Sequence, residues 1–124
     1  MPKKSYSISL RILGYKSDDG QWTAHCLETD LVGYGATFNK AIEALIELTD
    51  MQISFALYKK QPSLLYHPAP LHIIEQYHST MQSTLQNYTY TKKCKTNKNF
   101  KIASMPLPNK NTGANASFVQ AQAI

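Results

Sequence analysis

The chain contains no run of about 18 apolar residues, the length a helix needs to cross a bilayer. Its opening, Met-Pro-Lys-Lys-Ser-Tyr-Ser-Ile-Ser-Leu-Arg-Ile-Leu-Gly, alternates in polarity where a signal peptide has one continuous apolar stretch. A cytoplasmic protein with no membrane contact is the expectation. Cysteine is scarce: Cys26 and Cys94 lie far apart without Cys-x-x-Cys spacing, which argues against a thiolate zinc site or a disulfide framework and for two free thiols. Acidic residues are missing from the last third. Residues 87–124 hold six lysines and no Asp or Glu, whereas residues 1–86 hold seven basic and eight acidic residues, so the net charge of +5 comes from the C-terminal part. That part is rich in Asn, Thr, Ser and Gln with few large apolar side chains. Such a composition does not bury a core, which predicts a folded domain over 1–86 and a basic, flexible tail over 87–124.

Within the first 86 residues, Tyr6–Tyr15 places Tyr6, Ile8, Leu10 and Ile12 on one face and Ser7, Ser9 and Arg11 on the other, the period of a half-buried strand. Leu13 breaks the alternation. Lys16–Gly20 has turn chemistry, with Gly20 free to take positive φ, and a second strand follows with Trp22, Ala24 and Cys26 opposite Thr23, His25 and Leu27. A third strand is predicted at Leu31–Thr37, where Gly33 and Gly35 mark a bulge or an approach too close for a side chain. Backbone geometry costly to other residues is expected at one of these two glycines. Gly-x-Gly alone, without a third glycine or a Walker lysine, is not a phosphate cradle.

Thr37 is placed to cap a helix over 38–57 whose sheet-facing side is read as Phe38, Ala41, Ile42, Leu45, Leu48 and Phe55. Three prolines in Lys59–Pro70 leave room for only a short edge strand at Ser63–Tyr66, and Ile74, Tyr77, Met81 and Leu85 predict a second helix after Pro70. The resulting class is α+β: three or four antiparallel strands with helices packed on one face, in the order β-β-β-α-β-α.

The segment Asp19–Leu45 resembles the HicB-like antitoxin family through Asp19, Gly20, Trp22, Ala24, Leu27, Glu28, Gly33, Gly35, Thr37, Ala41 and Leu45. The likeness covers about residues 6–57. The chain departs from the family in carrying Asn39 and Lys40 where acidic residues usually follow the cap, and in lacking an appended helix-turn-helix or ribbon-helix-helix. The resemblance therefore implies a HicB-like domain alone, a non-enzymatic module that binds a small basic, RNA-cleaving HicA-like toxin, itself, or both. In this reading Gly20, Gly33, Gly35, Thr37 and Ala41 are structural.

The residues themselves give no catalytic or metal site and call for no cofactor. His25, His67, His72 and His78 have no ligand spacing, no nucleophile-elbow sequence is present, and the first strand carries no carboxylate for two-metal chemistry. Asp18, Asp19, Glu28 and Asp30, with Trp22, are the candidate surface for a basic partner. The alternative is nucleic-acid binding through Lys92, Lys93, Lys95, Lys98 and Lys101, with Tyr88, Tyr90 and Phe100 available for stacking.

Overall fold

A computed structural model describes residues 8–91 and 99–107. Strand β1 (Ser9–Lys16) and strand β2 (Trp22–Cys26) form the expected hairpin. Gly20 takes φ +89° in its turn, and the Asp19 carboxylate accepts from the Ser17 hydroxyl and from Gln21 N (3.0 Å), which closes the loop locally. Strand β3 (Val32–Gly35) pairs antiparallel with β2 through a short turn. Helix α1 (Phe38–Lys59) begins at Thr37, whose hydroxyl accepts from Lys40 N at 3.1 Å. It ends where Lys60 turns left-handed (φ 54°) and the N–H of Gln61 reaches back to Ala56 O at 3.0 Å.

No strand forms at Ser63–Tyr66. A single 3-10 turn, Pro62–Leu64, takes that place, because Pro62 fixes the φ that begins such a turn. The prolines further on are accommodated by alternation. His67 N donates to Glu28 O (3.0 Å) and Ala69 N to Leu27 O (2.8 Å), while Pro68 and Pro70, which have no N–H, take the alternate positions. Helix α2 (Leu71–Thr91) follows, and β4 (Phe100–Pro106) completes the sheet, pairing antiparallel with β1 from Ser9↔Pro106 to Tyr15↔Phe100. The strand order is β3-β2-β1-β4.

The α+β class with a four-stranded antiparallel sheet and two packed helices is as expected; its arrangement differs in three respects. The fourth strand comes from residues expected to be a tail, and Gln86 lies inside α2 rather than at a boundary. The helices also take opposite faces. Leu10, Ile12, Trp22, Ala24, Cys26, Ala103 and Met105 pack beneath α1, against Phe38, Ala41, Ile42 and Leu45. Leu13, Leu27 and Ile102 point the other way and pack with Tyr77 of α2. Leu13, which breaks the period-two pattern, is thus the marker of a second core, and β2 is buried along its whole length.

Gly33 and Gly35 explain how α1 lies on the edge of the sheet. Neither has positive φ, so their conformations are not the costly ones expected. Closeness is the cause. A Cβ on Gly33 would stand 2.4 Å from Ala41 O and 2.5 Å from Leu45 N, and one on Gly35 2.6 Å from Ala41 N. The helix backbone rests directly on β3.

Cys26 is fully buried in the core under α1, and burial pushes its thiol above the ordinary value. Its neutral form is the one the fold favours, so this contribution to stability is complete below the unfolded thiol pKa and is lost as pH rises through the folded value. In a Cys94→Ser variant, a disulfide-exchange reagent at pH 8 is expected to label Cys26 at the rate of global opening and at full speed in denaturant. Rapid native labelling would contradict the burial.

Candidate functional site

The five residues read from sequence as a partner surface do not form one patch. Asp18 and Asp19 precede β2 and Glu28 and Asp30 follow it, so a five-residue strand of about 16 Å separates the two pairs. Trp22 is 8% exposed, its ring 5.7 Å from that of Phe38, with Lys101 Nζ 5.1 Å above the indole. It is a core residue.

Glu28 and Asp30 are engaged within the domain. Glu28 accepts from Arg11 N and Arg11 Nε, both at 2.7 Å, and the guanidinium lies 5.8 Å over the Tyr77 ring. This clasp joins the β2–β3 turn to β1 and α2. Asp30 holds left-handed backbone (φ 59°) and accepts from His25 Nε2 at 2.6 Å, which leaves His25 Nδ1 facing the Tyr15 hydroxyl at 3.3 Å. His67 Nδ1 stands 3.8 Å from the second Asp30 oxygen.

A hydroxyl, an imidazole and a carboxylate in line is an arrangement that activates nucleophiles, so its state matters. Burial, then the neighbouring Tyr34 and Asp30, push the Tyr15 phenol up, and it stays a protonated donor. The line pins Asp30 into a strained turn. Among the described residues, no three of His, Cys, Asp and Glu are grouped so as to hold a metal ion.

Of the lysines considered for nucleic acid, Lys101 lies in β4 over Trp22, and Lys92, Lys93, Lys95 and Lys98 fall outside the described residues. Tyr88 is exposed on α2, Phe100 is half-buried in β4, and no side-chain position is described for Tyr90. No helix in the described residues is long and apolar enough to cross a membrane.

The surface that stands out is on α1. Its buried positions are Phe38, Ala41, Ile42, Leu45, Thr49, Ile53 and Ala56, so Leu48 and Phe55, read from sequence as sheet-facing, are not part of the core. Leu48 (41% exposed), Met51 (69%), Phe55 (48%) and Tyr58 (81%) follow at intervals of three, four and three. They form a second apolar stripe, about 15 Å long, turned to solvent. Exposed Glu43 and Glu47 and half-buried Asp50 border it on one flank. Lys59 Nζ lies about 6 Å from the Phe55 and Tyr58 rings on the other, 5.9 and 6.0 Å from their centroids.

The sequence reading placed Leu48 and Phe55 toward the sheet and ended the helix at residue 57, before Tyr58; the stripe escaped it because both stripes share one helix. The available signal was the strict three-four-three spacing beside a 3.6-residue core repeat. A shallow groove along α2, lined by His78, Met81, Gln82, Leu85, Gln86 and Thr89, is a lesser feature with no carboxylate or ammonium group in its walls. No family model, curated protein or solved structure matches this chain.

Proposed function

We propose that this chain is a non-enzymatic protein-interaction module whose working surface is the outer face of α1. The observation that carries the reading is the solvent-facing stripe Leu48, Met51, Phe55, Tyr58 on a helix whose core contacts are already complete. Contiguous large apolar side chains in water cost free energy in proportion to their area, and a docked partner removes that cost. The antitoxin-like form of the reading adds a small basic, RNA-cleaving protein as the partner. Glu43 and Glu47 beside the stripe support a basic partner, because opposite charge at the rim speeds encounter and fixes register.

The competing reading, nucleic-acid binding by the lysine-rich segment, makes a different forecast. A pull-down from the native host with the full chain is expected to recover a small basic protein, and the Met51→Lys/Phe55→Lys variant to lose it by at least about tenfold. Equal recovery by both baits, or nucleic acid without any protein, would sink the proposal.

A further inference from the structure

We draw no further inference here: the strongest candidate, the shallow groove along α2 lined by His78, Met81, Leu85 and Thr89, is an unpartnered apolar face, and nothing in the structure shows what covers it.

Discussion

A chain ended at Gln86 is expected to lose cooperative folding, with no thermal transition and a solvent-exposed Trp22 emission. The cut removes β4, the partner of β1 along seven residue pairs. It also removes Ala103 and Met105 from beneath α1, Ile102 from beneath α2, and Lys101 from above Trp22. Burial of a side chain the size of Ile or Met is worth about 1.5–3 kcal/mol and each ladder hydrogen bond a net ~1 kcal/mol. Losing them together removes roughly 5–10 kcal/mol, which is the whole stability of an ordinary small domain. A chain ended at Leu107 keeps all four strands and is the control for this cut. Native-like melting of the Gln86 chain would show that β4 is dispensable.

Gly33→Ala is expected to cost about 3 kcal/mol or more, at the upper end of what overpacking produces. The obstruction is backbone on both sides, Ala41 O at 2.4 Å and Leu45 N at 2.5 Å, so no rotamer change relieves it and α1 must lift from β3. Ala41, Leu45 and the capping Thr37 would shift with it. Gly20→Ala is the comparison. It has positive φ but open space, with its nearest neighbour the flexible Lys16 side chain at 3.9 Å, and should cost only about 1 kcal/mol. Urea denaturation of the three proteins measures both values. A Gly33→Ala midpoint equal to that of Gly20→Ala would mean that α1 does not rest on β3 as closely as described.

Sequence reasoning went furthest where local chemistry acts over a few residues. The hairpin turn at Gly20 and the Thr37 cap are legible because their hydrogen bonds join residues two and three apart. At Gly33 and Gly35 the alternative of a close approach was the correct one, but only the position of α1 distinguishes it from unusual dihedrals. Phe100–Pro106 reads as part of a polar tail because its strand character depends on β1, at the other end of the chain. Strand propensity is largely the fit of a side chain to its neighbours in the sheet, and those neighbours are absent from the local sequence.

The sequence by itself determined the α+β class, β1, β2 and β3, the start of α1 and the existence of α2. Only the tertiary structure decided that residues 100–106 close the sheet and that Leu13 begins a second core. It also decided that Asp18 and Asp19 stand apart from Glu28 and Asp30, and that Leu48 and Phe55 face water. Periodicity records how apolar side chains are spaced along a helix or strand; which of those stripes is covered depends on the element that arrives from elsewhere in the chain.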